Sequence, residues 1–191
     1  MIQVGIIATS LPDDLLFFQH NSKKIEWIII KDALDLRQIN GIITFTENPL
    51  KLTKMLYKLG LTKVLKEKVS EGIPLWAMGA SFILFQKENI NNDLALLDIT
   101  GTKAGYFTGF SAEIYVQALG TKKVRVNFYP TPWIKTIEPH VGVMAMDQDR
   151  IVMARQGNIL VSVFVPEKGE EALPAYFLEM VSENMNKQSE Y

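Results

Sequence analysis

Four apolar runs of strand length alternate with segments of helical period over Ile2 to Glu88, and no other feature constrains the fold of this chain as strongly. The runs are "IQVGIIA", "IEWIII", "GIITF" and "IPLWA". Each is apolar almost without interruption, which marks strands buried on both faces of a parallel sheet. Parallel neighbours require long crossovers, and the intervening segments can supply them. Leu52, Met55, Leu56 and Leu59 share one helix face, and Gly60 ends that helix. Leu61, Val64, Leu65 and Val69 form a second short face, stopped by Gly72 and Pro74. Ser10 is read as the cap of a helix beginning at Pro12, with Asp13 and Asp14 in its first turn, where the helix dipole favours anions. The alternation predicts an α/β sandwich.

The second half of the chain reads differently. "VRVNFYP", "VGVMAMD", "RIVMARQG" and "ILVSVFVP" are short strands with few helices between them, and "DQDR" and "QGN" read as turns of a meander. A terminal helix is expected from Pro174 to Asn186, with Phe177, Leu178, Val181 and Met185 as its apolar face. The expected organisation is one domain over residues 1–187 and a polar tail, 188–191, that frays.

Composition removes several classes of function. The 191 residues suffice for one large core, and the formal net charge of -1 gives no reason to expect nucleic acid or an anionic membrane as partner. The chain has no cysteine, which excludes disulfides, thiolate metal sites and a cysteine nucleophile. His20 and His140 are far apart, so no short-range metal motif exists, and neither a metal nor a cofactor is expected. The opening "MIQVGIIATS" lacks a basic segment and reads as a first strand rather than a signal peptide. No apolar run reaches the ~18 residues of a membrane span, and a cytoplasmic location is expected.

Candidate sites begin at "IPLWAMGASFILFQ", where an apolar strand stops at small residues and restarts as a second apolar run. Enzymes place nucleophiles at such elbows, because the tight turn lifts one side chain above the sheet. The residue at this turn is Gly79, which has no side chain. A plain strand-to-helix turn with a glycine at positive φ accounts for the pattern on its own. A serine-hydrolase reading would use Ser81, but Ile83 stands where the second glycine of G-x-S-x-G belongs. Lys51, Lys54, Lys58, Lys63, Lys66 and Lys68 give Leu50 to Val69 a basic side, either a solvated helix face or a docking surface for an acidic partner.

The order of these segments resembles the class I glutamine amidotransferases, and among them the glutaminase subunit of the ribose-phosphate-dependent pyridoxal phosphate synthase. The resemblance runs almost end to end. It is carried by "VGIIATS", "INGIITF", "GIPLWAMGASFILFQKE", "LALLDIT", "DRIVMARQGNILVSVFVPE" and "FLEMV", with "RIVMARQGN" the most specific stretch. It implies a flavodoxin-like three-layer sandwich, with a central mostly parallel sheet and a small antiparallel segment. It also implies glutamine hydrolysis by a cysteine in a G-T-C-A-G elbow and a histidine in an H-P-E motif. The aligned residues are Ala77, Met78, Gly79, Ala80 and Ser81 at the elbow, and Val165, Pro166 and Glu167 at the base. Nucleophile and base are therefore replaced by Gly79 and Val165, and only the orienting carboxylate, Glu167, is kept. The family's P-G-G-E-S loop, which supplies an oxyanion donor and substrate contacts, is replaced by Phe45, Thr46, Glu47, Asn48 and Pro49. "AGYFTG", Ala104 to Gly109, stands where the family carries an arginine-bearing segment.

Amide hydrolysis through a covalent intermediate requires an activated nucleophile, a base and oxyanion donors together. The first expectation is a non-catalytic homologue that binds a protein, either a synthase-type subunit or a second copy of itself. At the mouth of the old site, Phe45 and Met78 are expected to be exposed at the centre of that interface, with the lysines as its rim. The second is a small-molecule binder that uses the vacated pocket. The remaining two are an enzyme with a relocated set around Glu47, Glu167 and Ser81, and a working amidotransferase of pyridoxal phosphate biosynthesis.

Overall fold

The computed structural model describes residues 1–17, 25–87, 94–103 and 105–189; His20, Glu88 and Ala104 lie outside them. Strands β1 (Ile2–Ala8), β2 (Ile25–Ile29), β3 (Gly41–Thr46) and β4 (Leu75–Gly79) pair in the order β2-β1-β3-β4, all parallel. The runs "IQVGIIA", "GIITF" and "IPLWA" thus lie side by side, and β3 and β4 are buried along their whole length. The "IEWIII" run departs from the both-faces-buried expectation: β2 is an edge strand, with Glu26 and Ile29 exposed. It has β1 as its neighbour on one side, and none of its residues Ile25–Ile29 is fully buried.

Helices α1 (Asp13–Phe17), α2 (Pro49–Lys58) and α3 (Thr62–Ser70) follow β1 and β3. The periodic residues Leu52 and Leu56 of α2, and Leu65 and Val69 of α3, are the buried ones. Asn48 caps α2, its Oδ1 accepting from the Lys51 amide at 3.2 Å, and Pro49 follows with its fixed φ at the first helical position.

The second half contributes β5 (Ile99–Gly101), β6 (Phe110–Tyr115), β7 (Lys123–Phe128), β8 (Ile134–Ile137), β9 (Gly142–Asp147), β10 (Arg150–Gln156), β11 (Ile159–Ser162) and β12 (Phe164–Pro166). The large sheet runs on from β4 through parallel β11 to antiparallel β10, β8 and β5, with β9 also paired to β10. A separate antiparallel sheet has the order β12-β7-β6. The expected meander turns are present: Gln148-Asp149 joins β9 to β10, and Gly157-Asn158 joins β10 to β11. This mixed, largely parallel sheet with a small antiparallel companion is the class I glutamine amidotransferase-like α/β fold that the sequence implied.

Trp76 fastens the two halves. Its buried Nε1 donates to Ser162 Oγ at 2.9 Å, and that hydroxyl donates to the Phe164 carbonyl at 2.9 Å, linking β4, β11 and the start of β12. Helix α4 (Ala172–Ser189) packs on Trp76 through Phe177, ring centroids 5.6 Å apart. It approaches so closely that a Cβ on Gly41 would lie 2.6 Å from Val181 Cγ2. The helix is longer than the Pro174–Asn186 span read from periodicity, and it carries Gln188 and Ser189 of the stretch expected to fray. Among the described residues no helix is long and apolar enough to cross a membrane.

Candidate functional site

The elbow is built by the β3–β4 register, which pairs Thr46 with Gly79 at the ends of the two strands. Gly79 has φ 60° and ψ −139°, a conformation that side-chain-bearing residues adopt only under strain. A short 3-10 turn, Ala80–Leu84, follows in place of the expected α-helix. A Cβ on Gly79 would lie 3.0 Å from Phe45 Cε2 and 3.0 Å from the Thr46 carbonyl oxygen. Phe45 is fully buried, as is Met78, so neither offers the exposed apolar mouth expected from sequence. The physical reason is the glycine itself. With no side chain at Gly79, the Phe45 ring settles against the elbow and packs edge-on to Tyr129, centroids 5.4 Å apart.

Ser81 is a strut of this turn rather than an exposed nucleophile. It is fully buried and accepts from Thr44 Oγ1 at 3.0 Å. Its own proton is within reach of the Met78 carbonyl at 2.8 Å and the Thr44 carbonyl at 3.1 Å. Among the described residues the hydrogen bonds of Ser81 go to Thr44 and Met78, and none joins it to Glu47 or Glu167.

On the base side, Val165 is fully buried in β12, opposite Asn127 of β7, and β12 packs against β4. Glu167 stands just beyond β12, its carboxylate 3.7 Å from Arg125 Nε in a partly exposed ion pair. The half-buried polar contacts in this region belong to residues that carry no motif. Asp14 Oδ2 accepts from Tyr129 Oη and from Asn127 Nδ2, both at 3.0 Å, while Oδ1 accepts from the Lys168 amide at 2.9 Å. Asp14 thus ties α1 to β7 and to the segment after β12. Burial, then the Asp14 hydrogen bond and the charges of Asp14, Glu47 and Asp13, hold the Tyr129 hydroxyl far above the ordinary tyrosine range. The one signal in the sequence is Asp14 itself, which reads there only as a helix-dipole residue.

The loop after β3 is closed on itself. Thr46 Oγ1 meets Thr9 Oγ1 at 2.7 Å, donates to the Asn48 carbonyl at 2.9 Å and accepts from the Asn48 amide at 3.0 Å. The Asn48 amide is therefore engaged within the loop, and its side chain caps α2. Beside the loop lies a cleft of about 260 Å³, lined by Glu47, Pro49, Ala80, Gln86, Lys103 and Tyr106 among others. Gln86 is held in place by the Gly101 amide, which donates to its Oε1 at 2.9 Å. Of these cleft residues the loop resemblance singles out Glu47 and Pro49, the elbow stretch contains Ala80 and Gln86, and "AGYFTG" contains Tyr106; Lys103 alone of the six lies outside those stretches.

A second carboxylate, Asp98, is largely buried. Asp98 pairs with Lys87 and with His140 Nε2 at 2.7 Å, and accepts from Gln156 Nε2 at 2.8 Å. The Lys87 hydrogen bond is the largest cause that lowers the Asp98 pKa, outweighing desolvation, with His140 and Gln156 acting in the same direction. His140 is therefore engaged in a hydrogen bond with Asp98. Among the described residues no three His, Asp or Glu side chains are grouped to hold a metal.

The sequence profile of the SNO glutamine amidotransferase family matches residues 12–183. The chain belongs to this family. It is 31% identical over 168 residues to the pyridoxal 5'-phosphate synthase subunit PdxT of Carboxydothermus hydrogenoformans, covering 84% of this chain and 88% of that protein. It is 28% identical over 193 residues to PdxT of Clostridium botulinum, covering 96% of this chain and all of that one. Among solved structures, one described as a glutamine amidotransferase superposes with TM-score 0.77 at 23% identity, over 94% of this chain and 98% of that one. A GMP synthase subunit from Thermoplasma acidophilum gives TM-score 0.68 at 10% identity, over 99% and 98% of the two chains. These two likenesses concern the fold.

Proposed function

We propose that this chain is a glutaminase-subunit scaffold that does not hydrolyse glutamine and acts by binding a protein. The partner class is a synthase-type subunit, because its relatives are named as subunits of pyridoxal 5'-phosphate synthase; a second copy of the chain is the alternative. The observation that carries the reading is the packed elbow. Gly79 has Phe45 and the Thr46 carbonyl 3.0 Å from where a Cβ would stand, so the volume a nucleophile would use is already filled. The buried Val165 and the engaged Asn48 amide support the same reading. Without nucleophile, base and that amide, the rate enhancement of covalent amide hydrolysis has no source in these positions.

Two measurements test it. Ammonia release from glutamine should stay at background, with and without a purified synthase-barrel subunit. Size-exclusion chromatography of the mixture should show a complex, or of the chain alone a dimer. Robust ammonia release would overturn the reading in favour of a working amidotransferase.

The cleft favours one second reading. Glu47 and Lys103 place opposite charges on one pocket of about 260 Å³, which suits a small zwitterion. A thermal-shift screen of amino acids separates the two. Stabilisation by several degrees in a chain that stays monomeric and captures no synthase would replace protein binding with ligand binding.

A further inference from the structure

The exposed face of α2 combines two features that a merely solvated helix would lack. Leu50 is 73% exposed and Tyr57 58% exposed, on a helix whose other apolar residues are buried or half-buried. They are seven residues apart, so they stand on one side of the helix, roughly 10 Å from each other along the axis. Lys51, Lys54 and Lys58 flank them along one side of the helix, all exposed, and α2 contains no acidic residue. Among the described residues none of these three lysines has an ion-pair partner.

This arrangement is locally unfavourable. Lys51 lies in the first turn, where the helix dipole repels a cation. Lys54 and Lys58 are like charges one turn apart, which costs a few tenths of a kcal/mol. Lysines placed for helix stability would alternate with glutamates, as Lys63 and Glu67 do on α3, 3.7 Å apart. The face also begins at the rim of the cleft, because Pro49 lines the cleft and Leu50 follows it.

We infer that this face docks an acidic amphipathic helix of a partner protein, with Leu50 and Tyr57 as apolar anchors and Lys51, Lys54 and Lys58 as the complementary charged rim. The inference rests on the protein-binding reading and names the surface and the chemistry of the partner. Apolar residues at heptad spacing match the ridge of a second helix, and uncompensated lysines select glutamate and aspartate at its flanks. Such a contact gains speed and orientation from charge, and holds through the apolar pair.

The probe is a fluorescein-labelled helical peptide of about five turns, with leucines at heptad spacing and glutamates elsewhere; the control replaces glutamate with lysine. Anisotropy is read at about 20 mM and about 300 mM salt, across which screening shortens from roughly 20 Å to roughly 6 Å. The acidic peptide should bind and the basic one should not. Lys54→Glu with Lys58→Glu should weaken binding at least tenfold at low salt and flatten its salt dependence. Leu50→Ser and Tyr57→Ser should each weaken it several-fold at both salts, while Lys122→Glu, remote on the surface, should leave it unchanged. All the substituted side chains are exposed, and circular dichroism checks that the variants fold. Absence of binding by the acidic peptide, equal binding of the basic one, or indifference to the α2 variants would overturn the inference. So would α2-dependent binding to phosphatidylserine vesicles without peptide binding, which would assign the face to a lipid surface. If a synthase-barrel subunit forms a complex that all the α2 variants retain, the surface assignment fails and protein binding stands. If neither a complex with the synthase nor a dimer forms, protein binding itself fails.

Discussion

Substituting Gly79 with alanine adds one methyl group at the most constrained point of the molecule. Two costs follow from the geometry. At φ 60° and ψ −139° an L-residue is strained by about 1–3 kcal/mol. The new Cβ also meets the Thr46 carbonyl and the Phe45 ring, each at 3.0 Å. The carbonyl is backbone at the end of a fully buried strand, and the ring is itself fully buried, so neither can yield cheaply. Overpacking of this kind costs about 1–3 kcal/mol. The sum is about 2–4 kcal/mol once some relaxation is allowed. Urea denaturation of Gly79→Ala, Phe45→Leu and the double variant would measure it. Phe45→Leu removes the ring atom nearest the new methyl, so the cycle should show about 1 kcal/mol of favourable coupling, with the Thr46 part remaining. A Gly79→Ala protein within about 0.5 kcal/mol of wild type, or a cycle with no coupling, would refute the claim that Phe45 fills the nucleophile's place.

Three further outcomes are expected. Putting Cys at Gly79 and His at Val165 together should yield no glutamine-dependent ammonia release, because the thiol enters the space held by Phe45 and the imidazole enters a fully buried strand. Asp98→Asn should destabilise the fold by about 1 kcal/mol at neutral pH, since the exposed Lys87 loses its ion-pair partner and the hydrogen bonds to His140 and Gln156 weaken. Because the folded pKa of Asp98 is depressed, its contribution is present above the unfolded value of 3.8 and is lost as pH falls through the folded one. Urea midpoints of Asp98→Asn should accordingly fall less steeply than wild type below that pH. Asp14→Asn should bring the Tyr129 titration down toward its ordinary 10.0, read by ultraviolet absorbance. With Tyr129 raised in the folded state, wild-type stability holds below pH 10.0 and declines above it, and the variant should lose that part of the alkaline dependence.

The parallel half of the fold was legible because its strands are buried along their length and say so in composition. β2 was misread for the same reason, since an apolar run does not reveal how many neighbours a strand has. Gly79 was legible because only glycine takes that turn without strain. Phe45 and Met78 were misplaced because the sequence shows a glycine at position 79 but not which neighbour packs into the space beside it. Asn48-Pro49 carries a cap signature that any reader of helix starts could use, yet the loop resemblance drew attention to its chemistry instead. Tyr129, Asn127 and Asp14 converge only through tertiary contacts spanning more than 100 residues, and nothing local encodes that meeting.

The packed elbow also explains why the cleft and the α2 face can vary independently of the core. A glycine at the end of a strand would leave a void if nothing packed over it, and voids are costly in proportion to their volume. Here the void is closed by the Phe45 ring, braced by Tyr129, and the turn beneath it is held by the hydrogen bonds of Ser81 to Thr44 and Met78. The elbow is ordinary core, with Phe45, Met78 and Val165 fully buried, so on the proposed reading chemistry here would require reopening β3 as well as replacing two residues. Just outside it, Glu47 and Pro49 line the cleft and Leu50 opens the α2 face, exposed and free of the packing that fixes Phe45. Substitutions at the surface can therefore change what the molecule binds at little cost to its fold, whereas substitutions at Gly79 or Phe45 change the fold's stability first. Separate behaviour of the two sets, with binding lost at Leu50 or Lys54 and stability lost at Gly79, is what this division of the molecule requires.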